Sequence, residues 1–252
     1  MKRRGSPGER GRRVAVVAAG SLVFWASCDR RDSPRSMINR YPECSTYAVA
    51  PVLNFSGQFD LDPVRAADLL ASELGEVQGI SVLPVNRVVA YLAMQGKQQI
   101  ESPAHAVQVA RAIGADALLV GGITEYDPYT PIVGLALQIY TVSSSPPAAP
   151  VDAVAASREA RLAGHTAAMP PGPSPAGQVQ RVYNARHDDV VKAVKVYAKS
   201  RSQGENPFGW REYVTVQTSF LRFCWHDAVS RLLWQEAERR SASPAERAEE
   251  AP

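Results

Sequence analysis

The side chain in this sequence that is best placed to undergo chemistry is the thiol of Cys28. Residues 1–13 carry six basic side chains and one acidic side chain, and the next 14 residues, Val14–Ser27, carry no charge. A basic segment, a short apolar segment and small residues before a cleavage point are typical of a bacterial export signal. Because a membrane-spanning helix needs about 20 apolar residues, a cleaved signal is favoured over a permanent anchor.

The residues before Cys28 indicate which peptidase would cut. Trp25 occupies position −3 of a cut after Ser27, and this bulky residue disfavours ordinary signal cleavage, which requires small residues at −1 and −3. The segment Trp25–Cys28 instead resembles a lipobox, with Trp25 in the place where Leu is usual. We therefore predict that residues 1–27 are a lipoprotein signal peptide and that the Cys28 thiol receives a diacylglyceryl group. The alternatives are a plain secreted protein and an uncut anchor.

The other two cysteines are Cys44 and Cys224. In an oxidising envelope they could join in a disulfide. The alternative is that Cys224 is a small apolar residue of the core. Since the sequence does not give the distance between their Cα atoms, both interpretations stay open.

The remaining residue patterns do not indicate a catalytic or metal site. Gly121-Gly122 matches neither the dinucleotide-binding nor the P-loop pattern, so close packing explains it better. The histidines, at positions 105, 165, 187 and 226, do not stand at zinc-ligand spacing with cysteines or carboxylates. His226-Asp227 has no evident nucleophile partner. The sequence therefore predicts no catalytic residue, no metal site and no cofactor.

The basic charge of the chain is concentrated in the signal. The whole chain has 28 Lys and Arg against 25 Asp and Glu, and removing residues 1–27 leaves 22 against 24, a net charge of −2. Nucleic-acid-binding domains are typically strongly basic. We therefore expect no nucleic-acid partner, and expect instead the membrane, through the lipid, and another envelope protein.

Apolar periodicity predicts an α/β core over residues 47–142. Strands are predicted at 47–55, 80–85, 117–124 and 132–142, and helices at 63–77, from about 86 to 96, and at 103–113. Asp62 and Ser102 precede prolines and are the expected helix N-caps. Strands separated by helices predict crossovers, and the turn at 127–131 predicts a hairpin. The expected fold class is α/β, a mixed sheet of about four to five strands covered by helices, with a carboxy-terminal helical extension.

The rest of the chain divides by composition. Residues 28–46 are a predicted tether, and residues 143–178 are a Pro-rich insert in which 151–162 is either an edge strand or a helix. Residues 179–238 are predicted as carboxy-terminal helices packed on the core. They comprise an amphipathic helix at 179–202, an aromatic turn at 208–213 and a long helix at 215–238. Residues 239–252 are predicted to be a disordered tail.

Two surfaces of the carboxy-terminal region are candidate contact sites. On the predicted helix 179–202, one face carries four basic residues, Arg181, Lys192, Lys195 and Lys199. This face either contacts anionic lipid headgroups or is simply solvated. The aromatic turn carries Phe208, Trp210 and Tyr213, which either form a protein interface or cap the core.

Five segments carry a family resemblance: AVAPVLNFSG, RAADLLASEL, GISVLPVNRV, ARAIGADALLVGGITEY and LALQIY. Through them, residues 47–142 resemble the α/β domain shared by TolB amino-terminal domains, curli-secretion lipoproteins and penicillin-binding-protein activator lipoproteins. The resemblance covers roughly 95 of the 252 residues and specifies a fold more than a chemistry. It implies a non-enzymatic envelope protein that acts by binding other proteins.

A pore of the curli type needs strands of about 9 to 11 alternating residues, and no loop within 47–142 is long enough to supply them. The sequence therefore disfavours such a pore.

The main hypothesis is a lipid-anchored bacterial envelope protein that faces the periplasm, on either the inner or the outer membrane. It would be a non-catalytic protein-binding or assembly component, as a monomer or a homo-oligomer. One alternative is a secreted hydrolase or nucleotide-binding enzyme with a site near Asp127 or in 143–178. Another is an oligomeric subunit of a secretion assembly.

Overall fold

The computed structural model describes residues 37–127, 129–142, 173–201 and 207–249, with side chains up to residue 241. Its strands are β1 (Thr46–Val49), β2 (Leu53–Asn54), β3 (Ser81–Val82), β4 (Ala117–Asp127), β5 (Ile132–Thr141) and β6 (Gly177–Asn184). Its helices are α1 (Pro63–Leu74), α2 (Val85–Met94), α3 (Pro103–Ile113), α4 (Asp188–Arg201), α5 (Arg211–Thr215) and α6 (Gln217–Glu249).

The strands form one mixed sheet in the order β3-β1-β4-β5-β6, with β2 also paired to β4. Strand β1 runs parallel to β3 and β4, while β4, β5 and β6 are antiparallel neighbours. The predicted α/β class, the mixed sheet and the β4–β5 hairpin are thereby confirmed. The predicted strand 47–55 is divided into β1 and β2.

Helices cover both faces of the sheet because side chains alternate along each strand. Tyr47 and Leu119 pack on one face with the apolar sides of α1, α4 and α6. Ala48 and Leu118, one residue away, pack on the other face with α2 and α3. None of the helices in the part of the chain that the structure describes combines the length and the hydropathy of a membrane-spanning helix.

Local signals place α1 and α3 where the sequence predicted them. The Asp62 carboxylate accepts hydrogen bonds from the backbone N–H groups of Val64 and Arg65 at 2.9 and 3.1 Å, which caps α1. Ser102 caps α3 by accepting from the N–H of His105 at 3.1 Å. Gly114 ends α3 in the left-handed region with φ of 76°, a conformation that glycine adopts without strain.

The prediction of a helix from residue 179 is wrong, since Gly177–Asn184 forms strand β6 and the helix begins only at Asp188. Val179 and Tyr183 are buried, whereas Gln178 and Gln180 are exposed. This alternation has the two-residue period of a strand. The whole segment pairs antiparallel with β5, so it extends the sheet.

The predicted boundaries also differ from the structure at both ends of the folded domain. Within the predicted tether, Tyr41 and Cys44 are each 1% exposed and belong to the core. At the other end, α6 continues to Glu249 where a disordered tail was predicted. Arg240 there forms ion pairs with Glu236 and Glu43. The undecided segment 151–162, the predicted signal peptide 1–27 and the predicted lipidation site Cys28 lie outside the described residues.

Gly121 lets α6 pack directly against the sheet. A Cβ at this position would lie 2.9 Å from Cη2 of Trp225, which is fully buried. We expect Gly121→Ala to lower the free energy of unfolding by about 1–3 kcal/mol through overpacking, measured by urea denaturation. Gly122→Ala is the control, because its nearest neighbour is the ring of the exposed Phe55 at 3.2 Å. Equal losses in the two variants would contradict this packing role.

Candidate functional site

Among the described residues, charged side chains are most concentrated around Glu73, near the carboxyl end of α1. The side chain of Glu73 is fully buried. Its carboxylate accepts hydrogen bonds from Tyr197 Oη at 2.9 Å, Arg222 Nε at 2.7 Å and Arg201 Nη2 at 2.5 Å. Nδ1 of His226 lies 3.2 Å from the same carboxylate. We call these five residues the Glu73 cluster. It connects α1 to α4 and α6.

The electrostatics of the cluster keep Glu73 ionised. Burial alone would raise the pKa of Glu73, but the hydrogen bond with His226, the charge of Arg201 and the hydrogen bonds from Arg222 and Tyr197 together lower it below its ordinary value. Because both carboxylate oxygens are engaged by these donors, Glu73 is poorly suited to accept a proton from a substrate. The cluster is best explained as a structural junction.

The Glu73 cluster was not predicted from the sequence, although one signal for it exists. Glu73 follows Ala66 by seven residues and Leu70 by three, which places it on the buried stripe of α1. A carboxylate at such a position needs a partner. The stripe could therefore have indicated a buried ion pair, but not which basic residues would supply it.

The pair His226-Asp227 does not act as a unit in the structure. His226 faces Glu73, whereas the carboxylate of Asp227 accepts hydrogen bonds from Tyr183 Oη at 2.8 Å and Arg231 Nε at 2.6 Å. Asp127, near the site considered for an enzyme, accepts from the backbone N–H groups of its own turn. Within the described residues, no three His, Cys, Asp or Glu side chains are grouped so as to hold a metal ion.

Cys44 and Cys224 are both buried free thiols, so the disulfide considered from the sequence is not formed. The thiol of Cys44 lies 3.9 Å from the carbonyl oxygen of Asp116, while Cys224 is packed into the core from α6. Burial raises the pKa of Cys44 to about 12 and raises that of Cys224 well above its ordinary value. Each thiol therefore acts as a small apolar core residue.

The four basic residues predicted to share a helical face are separated in the structure. Arg181 lies on strand β6, where it forms an ion pair with Asp189 at 3.3 Å. Lys192, Lys195 and Lys199 lie exposed on α4. A common face for all four is therefore wrong, because residues 177–184 are extended. A headgroup contact by the three lysines stays a prediction.

The aromatic turn divides into packed and exposed residues. Trp210 and Tyr213 are half-buried against the core, and the ring of Tyr213 meets that of Tyr197 edge-on, with 5.2 Å between centroids. Lys195 Nζ lies 4.6 Å from the centre of the Trp210 ring. Phe208 is 71% exposed. Two of the three residues thus cap the core, and an interface role for the turn stays a prediction.

An apolar surface that was not predicted from the sequence surrounds a groove between α1 and α2. Its walls include Pro51, Pro63, Val64, Val89 and Ala93. Val64, which lines the groove, is exposed. Phe55 and Met94, which follow the lining residues Asn54 and Ala93 in the chain, are also exposed, as is Phe59 on the same loop as Phe55. We call this surface the α1–α2 groove.

The loop that carries Phe55 and Phe59 is held in place by Asn54. The Asn54 side-chain amide donates to the carbonyl of Gln58 at 2.8 Å, and its Oδ1 accepts from the N–H of Ser56 at 3.1 Å. Phe59 is nevertheless completely exposed. Large apolar side chains exposed on an ordered surface are typical of a protein-binding site.

Among known proteins, the chain is similar to solved structures only. No protein-family model and no curated protein matches the chain. The LpoB C-terminal domain from Salmonella enterica is similar at 12% identity and a TM-score of 0.38, over 56% of this chain and 84% of that one. Lipoprotein GNA1162 from Neisseria meningitidis is similar at 16% identity and a TM-score of 0.38, over 64% and 99% of the two chains.

A PelC dodecamer from Paraburkholderia phytofirmans is similar at 19% identity and a TM-score of 0.28, over 42% of this chain and 66% of that one. Of the families named from the sequence, the LpoB match corresponds to the penicillin-binding-protein activator lipoproteins. These identities and TM-scores are low, and they assign no function to this chain.

Proposed function

We propose that this chain is a lipid-anchored protein of the bacterial cell envelope, facing the periplasm, that binds another protein without catalysing a reaction. The membrane part of the proposal is supported by Cys28 and the signal-like residues before it. The protein-binding part is carried by one observation, the exposure of Phe55 and Phe59 on the loop that follows Asn54, a residue that lines the α1–α2 groove.

The position of the groove suits a partner in the periplasm. Ile38 pairs with Gln78, four residues beyond the carboxyl end of α1. The groove instead includes Pro63 and Val64, at the amino end of α1. Helix α1 has 12 residues, which gives a length of about 18 Å. An anchor that enters at Met37 would therefore leave the groove at the far end of this helix.

The chemistry of the groove favours an apolar partner segment. Burying one large apolar side chain contributes about 1.5–3 kcal/mol, and an aromatic residue in a partner's pocket is a common anchor of binding energy. Phe55, Phe59 and Met94 offer such side chains. Lys97, which also borders the groove, is paired with Glu101 at 2.5 Å, so the surface carries little net charge.

Site-specific photo-crosslinking in intact cells tests the proposal. A photoreactive residue at Phe59 or Met94 is expected to yield one discrete adduct, and the same residue at the exposed Gln108 on α3 is expected to yield none. An adduct of twice the chain's mass would identify the partner as a second copy. Equal labelling from all three positions would contradict a binding role for the groove.

Val64→Asp supplies a matched loss-of-binding variant. It places a charge in the groove, yet Val64 lies in the first turn of α1, where an acidic residue stabilises a helix. We expect the Phe59 adduct to disappear while the free energy of unfolding stays within about 0.5 kcal/mol of the wild type. An unchanged adduct would place the contact outside the groove.

A further inference from the structure

A second groove lies between α6 and residues 37–40. Its apolar walls are Met37, Ile38, Leu233, Trp234 and Ala237. The side chain of Trp234 is 61% exposed and that of Ile38 is 46% exposed. We call this surface the α6 groove.

The α6 groove is a fixed surface, because residues 37–39 are tied to the domain on both sides. The carbonyl of Met37 accepts from the N–H of Gln78 at 2.8 Å, and the N–H of Asn39 donates to the carbonyl of Gln78 at 2.9 Å. Ser230 Oγ lies 2.9 Å from the sulfur of Met37. Exposure of Ile38 and Trp234 is therefore a property of the folded domain.

The rim of the groove carries positive charge. Arg40 and Arg231 are exposed beside it. Asp227 is the one carboxylate among the described residues of the rim, and it is hydrogen-bonded to Arg231 and Tyr183. Because Arg231 and Asp227 neutralise each other, Arg40 supplies the net positive charge of the rim. Tryptophan next to arginine is the combination that membrane–water interfaces favour, since the indole prefers the headgroup region and the guanidinium attracts anionic lipids.

Chain length connects this surface to the membrane. Met37 follows Cys28 by nine residues, so a lipid on Cys28 would hold the α6 groove within about 30 Å of the bilayer. A tether this short makes contact between groove and bilayer effectively intramolecular, so even a weak contact would form. This step rests on the lipid anchor of the proposed function.

From these observations we propose that the α6 groove lies against the bilayer surface, with Trp234 and Ile38 in the headgroup region of a membrane that contains anionic lipid. The folded domain would then be oriented by two points, the lipid on Cys28 and the α6 groove. This orientation would direct the amino end of α1, and with it the α1–α2 groove, away from the membrane.

Tryptophan quenching by brominated lipids tests the contact. The full chain is reconstituted into vesicles of phosphatidylcholine and phosphatidylglycerol whose acyl chains carry bromine. All variants carry Trp25→Leu, so that Trp25 contributes no signal whether or not the signal peptide is cleaved. The remaining tryptophans are the buried Trp225, the half-buried Trp210 and the exposed Trp234. We expect quenching that persists in Trp210→Phe and falls to the level of unbrominated vesicles in Trp234→Phe.

Intact mass, measured on the same samples, separates this proposal from the lipid anchor. If the mass shows no lipid on Cys28, the anchor is wrong, and the same quenching of the unanchored protein mixed with vesicles still decides whether Trp234 contacts the bilayer. Quenching that is equal in Trp234→Phe and Trp210→Phe overturns the membrane contact. The groove would then be covered by a protein partner or by the residues before Met37.

Discussion

Replacing Cys28 with alanine is expected to abolish the lipid mass of the protein and to release it from membranes. A diacylglyceryl group supplies two acyl chains, and each buried methylene contributes about 0.8 kcal/mol, so two chains anchor a protein stably. Without them, the uncut apolar segment Val14–Ser27 has 14 residues, fewer than the roughly 20 that span a bilayer. Intact mass and membrane fractionation of the two proteins measure the effect.

Thiol titration of the unfolded protein gives an independent reading of the same prediction. The chain has three cysteines, and a lipidated Cys28 leaves only Cys44 and Cys224 to react after denaturation. In the folded protein both are buried, so little reaction is expected there. Cys44→Ala is the control and should keep the lipid mass. A wild-type chain with three reactive thiols, or one cut elsewhere, would contradict the lipoprotein prediction.

Replacing Glu73 with glutamine is expected to destabilise the fold by about 3 kcal/mol. Removing one member of a buried ion pair typically costs about 3–5 kcal/mol, because the remaining charge loses its partner. The lower end applies here, since the side chains of Arg201 and Arg222 are 23% and 41% exposed. Urea unfolding gives the value.

Glu76→Gln is the matched control for this measurement. Glu76 also pairs with Arg201, at 3.4 Å, but its side chain is 56% exposed. An exposed pair contributes at most about 1 kcal/mol, so a small change is expected. If the two variants lose the same stability, burial of Glu73 is not the cause.

The stability of the protein should also depend on pH through the ionisation of Glu73. The pKa of folded Glu73 is lowered from 4.5, so its stabilising contribution is fully present above the unfolded pKa. It is lost as the pH falls below that value and passes through the folded pKa. The wild type should therefore lose stability on acidification from about pH 5 to about pH 3 more steeply than Glu73→Gln. Parallel profiles would contradict an ionised Glu73 in the folded state.

Local sequence patterns predicted those features of the chain that are determined by residues close together in the sequence. Asp62 and Ser102 cap helices by bonding N–H groups two or three residues away. The apolar runs of β4 and β5 are long and close in sequence, so their hairpin follows from one turn. The signal-like segment before Cys28 is likewise a continuous pattern of charge and hydropathy.

Features that depend on distant residues were missed or misassigned. Strand β6 is a strand because it pairs with β5, and Gln178 is opposite Gln138, 40 residues earlier. Its apolar spacing alone was mistaken for a helix. Tyr41 and Cys44 were assigned to a tether, although they are buried against the core.

The sequence by itself determined the α/β class, the helix caps and the prediction of an anchor at Cys28, because each depends on neighbouring residues. Tertiary structure alone decided the Glu73 cluster and the two apolar grooves. Tyr197 is 124 residues from Glu73, and His226 is 153 residues away. The α6 groove likewise joins Ile38 to Trp234. No local pattern relates residues so far apart, because only the packing of α1, α4 and α6 on one sheet brings them together.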